Sequence, residues 1–175
     1  VFADAKRGKA LAVRYSSGDL DQLVRRYWQQ ALAQDRQQFE AAATRDRLAC
    51  FNTLYADVHG EILYRYEGVM PRRHGGDYAS WQGIQPGNST ENLWQDDYPA
   101  SALPRVLNPA SGFVQNANDP PWYATVPALD AKEFPPYIAA PQLDLRAQRS
   151  LKQVATDSSI SFEELVAIKQ SNHVE

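Results

Sequence analysis

The first strongly periodic segment of the chain is amphipathic. Apolar residues recur at steps of three and four across residues 20–32, which predicts a helix with one broad apolar stripe. The stripe consists of Leu20, Leu23, Val24, Tyr27, Trp28, Ala31 and Leu32. Arg25, Arg26, Gln29 and Gln30 fall on the opposite face. We therefore expect the stripe to pack into a core, with the arginines and glutamines on the polar side of the helix.

The residues after this stripe predict a second helix. Asp35 and Gln38 have the spacing of a capping box, in which two side chains satisfy the first free backbone N–H groups of a helix. Phe39 and Ala42 form its apolar side, and the helix should end near Arg47.

Alternation of polar and apolar residues predicts two antiparallel hairpins. Residues 1–15 alternate around a turn at residues 6–9, which is typical of two short strands. Residues 48–57 and 61–66 predict a longer pair of strands, joined by a connection that ends in Gly60. One face of the second long strand carries Ile62, Tyr64 and Tyr66, and the other carries Leu63 and Arg65.

The centre of the chain, residues 69–140, sustains no periodicity. It holds most of the 11 prolines and 9 glycines and three of the four tryptophans, Trp81, Trp94 and Trp122. The tryptophans argue against disorder because their large rings need burial. We expect an ordered, aromatic-rich loop region that runs over the surface of a larger protein, since loops of this length are usually functional when they are ordered.

Helical patterning returns in the last part of the chain. Residues 141–156 carry apolar side chains at helical spacing, and Ser161 with Glu164 forms a capping box for a last helix that should reach His173. We interpret residues 1–175 as one α+β piece with three parts: strands and two helices at 1–68, an irregular region at 69–140 and helices at 141–175.

Composition narrows the classes of function. A net charge of −3 without a basic run does not favour nucleic acid as a partner. No apolar stretch approaches the roughly 20 residues that span a bilayer, so no membrane segment is expected. Cys50 is the one cysteine, which excludes an internal disulfide, and its apolar setting favours a small buried thiol. His59, His74 and His173 lack metal-ligand spacing, and we expect no metal or other cofactor.

The densest candidate chemistry lies in residues 111–122. Four amide or carboxylate side chains follow an apolar pair, namely Gln115, Asn116, Asn118 and Asp119. Pro120 and Pro121 then remove two backbone donors, so the segment cannot be an ordinary strand. Such a segment can hold an amide NH2 in a fixed place, which is what an oxyanion hole requires. On residue types alone, an asparagine that merely stabilises a turn is the alternative.

Several short segments resemble, in order along the chain, the penicillin acylase family, and within it the glutaryl-type cephalosporin acylases. They read FNTLYAD at 51–57, GEILY at 60–64, GVMPRR at 68–73, WQG at 81–83, LPRV at 103–106, NP at 108–109 and GFVQNANDPPW at 112–122. The resemblance is weakest near both ends of the chain. It implies a segment of the four-layer αββα sandwich of N-terminal-nucleophile hydrolases, with the longer hairpin in the central sheets.

The resemblance implies roles for particular residues. In the family the second asparagine of the Asn-x-Asn-Asp pattern, here Asn118, donates its amide to the oxyanion. Phe51 matches a phenylalanine that lines the acyl pocket, although by pattern alone it would be a core residue. Residues expected to support the site are Asn52, Asn116, Asp119, Arg146 and Arg149. For the two arginines, structural or solvated salt bridges are the alternative.

The resemblance also implies properties of a parent enzyme. Such enzymes cleave the acyl amide of penicillin-type, cephalosporin-type or other N-acyl substrates with an N-terminal serine, and they mature by self-cleavage of a precursor in the bacterial periplasm. This chain begins at Val1, so we expect an internal piece of the large subunit that is inactive alone. Its partners would be the rest of the precursor, comprising the small subunit and the remainder of the large subunit, and a small acyl-amide substrate.

A free-standing binding module is the alternative function. Its exposed aromatic rings would stack on sugars or on proline-rich ligands. The rings concerned are Trp81, Trp94, Tyr98, Trp122 and Tyr123. This alternative predicts exposed tryptophans and no catalytic activity.

Overall fold

The computed structural model describes residues 1–4, 6–16, 20–45 and 51–173. The helices are α1 (Leu20–Leu32), α2 (Arg36–Arg45), α3 (Leu145–Thr156) and α4 (Phe162–Gln170). The strands are β1 (Phe2–Asp4), β2 (Lys9–Leu11), β3 (Phe51–Ala56), β4 (Ile62–Glu67) and β5 (Arg105–Leu107). This mixture of helices and antiparallel strands is the α+β class that the sequence predicts. The predictions for Cys50 and for the end of α2 near Arg47 fall outside the described residues.

Both expected hairpins are present. β1 pairs with β2 in antiparallel register, and β3 pairs with β4 so that Phe51 lies opposite Glu67 and Ala56 opposite Ile62. The turn between β3 and β4 is held by the Asp57 carboxylate, which accepts hydrogen bonds from the backbone N–H groups of His59 and Glu61. The sheet therefore starts from a locally encoded hairpin.

A third strand lies in the region that the sequence pattern leaves irregular. β5 pairs antiparallel with β4, with Leu63 opposite Leu107 and Arg65 opposite Arg105. A strand of three residues is too short to show alternation, so only its pairing reveals it. The rest of the region forms short 3-10 turns around a core cluster of Met70, Leu103, Trp122, Tyr137 and Ile138. The region is therefore ordered, as its tryptophans predict, and Trp122 is buried in this cluster.

The prediction that the apolar stripe of α1 packs into the core, with its arginines on the polar side, is wrong. Arg26, expected on the polar face, is 2% exposed, whereas Val24, Trp28 and Leu32 of the stripe are 63%, 65% and 53% exposed. Arg26 forms a salt bridge with Glu67 of β4, which is itself buried. A buried carboxylate without a cation is costly, so pairing with Glu67 decides which face of α1 turns inward.

Helix caps follow the sequence closely. The Ser161–Glu164 capping box is complete, with both reciprocal hydrogen bonds present, and α4 ends at Gln170 rather than at the expected His173. At α2 the Asp35 carboxylate accepts from the Gln38 backbone N–H at 2.8 Å, as expected, but the Gln38 side chain accepts from the Gln34 backbone instead of from Asp35. Helix α3 begins at Leu145, after an Asp144 cap, and not at residue 141.

The two faces of the β3–β4–β5 sheet carry different layers. One face bears Arg65 and Glu67, and it packs against α1 and α2 through the Arg26–Glu67 pair and the Arg65 contacts to Glu40 and Thr44. The opposite face carries Tyr64, which clusters with Val106 of β5 and with Ala124 and Val114 of the irregular region. The segment that holds the candidate chemistry therefore lies on the side of the sheet away from α1 and α2.

The helix-facing side of the sheet contains a carboxylate surrounded by arginines. Arg105 donates hydrogen bonds of 2.7 and 2.8 Å to the Glu40 carboxylate, and Arg36 and Arg65 pair with it as well. The hydrogen bonds from Arg105 are the main reason that the pKa of Glu40 lies below its ordinary value of 4.5, against the opposing effect of partial burial. A pKa lowered in the folded state stabilises the fold above the unfolded-state pKa, and this stability is lost as the pH falls through the lowered value.

We expect the free energy of unfolding to report this titration. The difference between the wild-type chain and Glu40→Gln should be present at pH 7 and should shrink as the pH falls below about 4. Denaturant titrations at pH 7, 5 and 3 measure it, and Glu133→Gln, at an exposed glutamate, is the control. A difference that stays constant across this range would contradict the prediction.

Candidate functional site

A buried glutamine anchors the candidate segment to its surroundings. The Gln115 backbone N–H donates to the Ala124 carbonyl at 2.8 Å, and its Nε2 donates to the Tyr123 carbonyl at 2.7 Å and to the Asp119 carboxylate at 3.2 Å. Its Oε1 accepts a hydrogen bond of 2.8 Å from Ser150 Oγ of α3. The side chain of Gln115 therefore links residues 111–122 to α3 through Ser150, and it also hydrogen-bonds to Asp119 and Tyr123 nearby in the chain.

Asn116 and Asp119 shape the backbone around Asn118. Asn116 Nδ2 donates to the Asp119 carbonyl at 3.1 Å, and Asn116 Oδ1 accepts from the Asn118 backbone N–H at 2.9 Å. The Asp119 carboxylate is buried and accepts from the Ala117 backbone N–H at 2.6 Å. These three hydrogen bonds close a tight turn whose outermost residue is Asn118.

Asn118 itself adopts a conformation that few side chains tolerate. Its φ of +65° lies in the left-handed region, which asparagine enters more readily than most residues other than glycine. Arg146 of α3 donates from its guanidinium to Asn118 Oδ1 at 3.2 Å. Because an arginine can only donate, the amide oxygen must face it and Nδ2 must point elsewhere. Within the described part of the chain, Asn118 Nδ2 makes no hydrogen bond, and the residue is exposed.

The two residues singled out on β3 lie on opposite faces of the sheet. Asn52 shares the face of Tyr64 and accepts a hydrogen bond of 2.5 Å from its hydroxyl, on the side where the Asn118 segment packs. Burial raises the pKa of Tyr64 far above its ordinary range, with the neighbouring Tyr66 and Asp119 adding to the effect, so Tyr64 stays a neutral donor. Phe51 is 50% exposed and its ring belongs to the face that carries Glu67. The structure brings Asn52, and not Phe51, to the side of Asn118.

The two candidate arginines of α3 have different contacts. Arg146 reaches Asn118 and also lies 3.9 Å from the Asp144 carboxylate. Arg149 donates to Ser171 Oγ at 3.2 Å and so connects α3 to the residues that follow α4. The sequence indicates Gln115 as one of the four polar side chains of the amide-rich segment but predicts no specific role for it. Ser150 stands in an ordinary helical pattern, which gives no signal of a contact with Gln115.

The aromatic rings of the irregular region are mostly engaged within the chain. Trp122 is 5% exposed and its indole N–H donates to the Ala140 carbonyl. The Arg73 guanidinium lies 4.8 Å from the Trp81 ring, and that of Arg14 lies 4.8 Å from the Trp94 ring. Trp122 is thus buried while Trp81 and Trp94 are partly buried, so none of the three is fully exposed as the binding-module alternative predicts.

Metal-binding clusters and membrane-spanning helices are both absent from the part of the chain that the structure describes. Among those residues no group of three or more histidine, cysteine, aspartate or glutamate side chains is placed to hold a metal ion. None of the described helices has the length and apolar character needed to cross a bilayer.

Comparisons with known proteins show the family to which the chain is similar. Residues 1–175 match the family model described as penicillin amidase. Over 105 residues the chain is 33% identical to penicillin G acylase of Escherichia coli, which corresponds to 60% of this chain and 12% of that protein. The solved structure of a thermostable penicillin G acylase from Alcaligenes faecalis is similar with a TM-score of 0.64 and 20% identity, over 85% of this chain and 25% of that one.

The chain therefore spans only a small part of each of these two relatives. The fold of that part is nevertheless shared, and the family model extends over every residue of the sequence. This chain belongs to the penicillin amidase family.

Proposed function

We propose that this chain is part of an enzyme that hydrolyses the linear amide bond of N-acyl compounds, and that Asn118 Nδ2 donates a hydrogen bond to the oxyanion. The observation that carries the proposal is the fixed and open side-chain amide of Asn118, held through Oδ1 by Arg146 and through the backbone by Asn116. Amide hydrolysis passes through a tetrahedral intermediate whose oxygen is negatively charged. A donor that is already oriented stabilises this charge without reorganisation.

The surrounding hydrogen bonds support such a role for Asn118. The turn made by Asn116 and Asp119 sets the backbone, and Pro120 and Pro121 stiffen the chain immediately after that turn. The cationic Arg146 on the amide oxygen also draws electron density from the amide, which makes its N–H groups better donors.

The nucleophile in this proposal lies in the rest of the parent protein. It is an N-terminal serine of a large subunit, produced by self-cleavage of a periplasmic precursor, and its own α-amine serves as the base. The substrates are penicillins, cephalosporins, N-acyl amino acids or other N-acyl compounds. The described strands would then belong to one sheet of a four-layer sandwich completed by the remainder of the precursor.

Phe51 stays a proposed wall of the acyl pocket. Its ring is half exposed among the described residues, which fits a pocket wall better than a core residue. It lies on the face of the sheet away from the Asn118 segment, so any acyl pocket that it lines must reach the reaction centre past the edge strand β3.

Arg146 provides a test of how Asn118 is positioned. In the protein made from the whole gene, Arg146→Met should lower kcat by roughly ten- to a hundredfold, because a donor displaced by about 1 Å loses much of its effect. Arg146→Lys should restore part of the loss, since a lysine retains a cationic donor. Steady-state kinetics on an N-acyl substrate measures both variants. Equal kcat values for the two variants would contradict a positioning role.

The proposed function is tested by the product of the whole native gene. We expect its mature form to include a subunit several times longer than this chain, beginning with serine and containing residues 51–122 internally. That protein should hydrolyse an N-acyl substrate such as phenylacetyl-4-nitroaniline. Intact mass, N-terminal sequencing and release of 4-nitroaniline give the result. A mature product confined to these 175 residues, or one without activity on any N-acyl compound, would overturn the proposal.

A further inference from the structure

Helix α3 contacts the Asn118 turn at two points on the same face of the helix. Arg146 and Ser150 are four residues apart, so their side chains lie one above the other on α3. Arg146 donates to Asn118 Oδ1 at 3.2 Å, and Ser150 Oγ donates to Gln115 Oε1 at 2.8 Å. The first contact is exposed, whereas the second joins a half-buried serine to a glutamine that is 5% exposed. The turn is therefore held to α3 from inside the protein as well as at its surface.

A continuous series of hydrogen bonds leads from Ser150 to the residue that precedes Asn118. Gln115 Nε2 donates to the Asp119 carboxylate at 3.2 Å, and the same carboxylate accepts from the Ala117 backbone N–H at 2.6 Å. Because Gln115 Oε1 accepts from Ser150, its NH2 group is the end that faces Asp119. Asp119 is 4% exposed, so water does not readily replace a donor that its carboxylate loses. The orientation of the Gln115 amide thus controls the turn from which Asn118 projects.

The first turn of α3, which carries these contacts, is itself firmly anchored. The Asp144 carboxylate caps the helix by accepting from the Ala147 backbone N–H at 2.8 Å. Ala147 lies between Arg146 and Ser150 in sequence, and it is completely buried. Two contacts from one fixed element define both the distance and the orientation of the turn, whereas a single contact would leave the turn free to pivot. The second contact therefore adds a constraint that Arg146 alone does not supply.

We propose that Ser150 is a positioning residue for amide hydrolysis, which acts through Gln115 and Asp119 to fix the place of Asn118 Nδ2. The inference rests on the proposed function, in which Asn118 donates to the oxyanion. Ser150 contacts neither the substrate nor the reacting atoms. Its hydroxyl orients the Gln115 amide, and without it the turn that carries Asn118 shifts. Because the oxyanion exists only as the reaction proceeds, such a shift lowers kcat and leaves KM almost unchanged.

Removal of the Ser150 hydroxyl from the protein made from the whole gene tests this role. Ser150→Ala should lower kcat roughly five- to thirtyfold and change KM by less than about twofold, because a displaced donor loses part of its effect. Ser150→Thr keeps a hydroxyl and should recover most of the loss. Thr156→Ala is the matched control, since it removes a hydroxyl from α3 that donates only within the helix, to the Lys152 carbonyl at 2.8 Å. Steady-state kinetics on phenylacetyl-4-nitroaniline, with a thermal melt for each protein, gives the result.

A double variant separates this inference from the function on which it rests. In the Asn118→Gly background, Ser150→Ala should change kcat by less than about twofold, because no donor is left to position. Equal losses in the two backgrounds, or equal kcat values for Ser150→Ala and Thr156→Ala, would overturn the positioning role alone. An unchanged kcat in Asn118→Gly would overturn the oxyanion role of Asn118.

Hydrogen exchange gives a measure of the turn that does not depend on activity. Followed by mass spectrometry, the backbone amides of residues 115–119 should exchange faster in Ser150→Ala than in the wild-type protein, because the Ala117 N–H loses part of its protection. Thr156→Ala should leave this exchange unchanged. Identical exchange in Ser150→Ala and the wild-type protein would overturn the inference, since the hydroxyl would then not hold the turn.

Discussion

Asn118→Gly is expected to lower kcat of the whole-gene enzyme by about 10²- to 10³-fold with little change in KM. This is the loss seen when one side-chain donor is removed from an oxyanion hole, roughly 2.7–4 kcal/mol of barrier. Glycine is the right replacement because Asn118 has a φ of +65°, where alanine would add backbone strain to the loss of the donor. Steady-state kinetics on phenylacetyl-4-nitroaniline, with a thermal melt for each protein, measures the effect.

Two further variants sharpen the test of Asn118. Asn118→Asp keeps an oxygen for Arg146 but lacks the NH2 group, so it should lose activity at least as severely as the glycine variant. Asn88→Gly, at an exposed asparagine in the irregular region, should leave kcat unchanged. A rise in KM with normal kcat in Asn118→Gly would place Asn118 in substrate binding and remove it from the oxyanion hole.

The largest effect on stability is expected at the Arg26–Glu67 pair. Arg26 and Glu67 have side chains that are 2% and 4% exposed, and Glu67 also accepts from Thr53 Oγ1 and pairs with Arg65. Arg26→Leu leaves this buried carboxylate without one of its two cations. Breaking a buried ion pair in this way costs about 3–5 kcal/mol in the free energy of unfolding. Urea denaturation with matched m-values measures the loss.

The neighbouring residue offers a matched control for that variant. Arg25 is on the same helix, is about half exposed and lies 3.9 Å from Asp21, so Arg25→Leu should change the free energy of unfolding by less than about 1 kcal/mol. The double variant Arg26→Leu/Glu67→Leu should recover much of the stability, because apolar packing replaces the two charges. Similar losses in the free energy of unfolding for Arg25→Leu and Arg26→Leu would show that the buried pair contributes no more to stability than the exposed one.

Much of the fold is predictable from local pattern. The β3–β4 hairpin follows from alternation and from Gly60 in its turn, whose φ of +84° suits glycine. The capping box of α4 follows from Ser161 and Glu164, three residues apart. In each case the interacting groups lie within a few residues of one another, so a short stretch of sequence is enough to predict the contact.

The candidate site likewise combines contacts between near neighbours, which the sequence predicts, with contacts between distant residues, which it does not. The turn around Asn118 is built by Asn116 and Asp119, which are its near neighbours, and the amide-rich segment was visible as a candidate for that reason. Arg146 is 28 residues away from Asn118, and Ser150 is 35 residues away from Gln115. Contacts of that separation have no local signature, so the sequence offered Arg146 only as one of two arginines and did not offer Ser150.

The sequence by itself determined the helices, the hairpins and the turn that carries Asn118, because each depends on short-range periodicity, capping or turn chemistry. Only the tertiary structure decided that Arg26 is buried against Glu67, that residues 105–107 join the sheet as β5, and that Phe51 and Asn52 face opposite layers. It alone also placed Arg146 on the Asn118 amide oxygen. The physical reason is that burial and charge pairing are settled between distant segments, and they override local amphipathicity when a buried charge must find its partner.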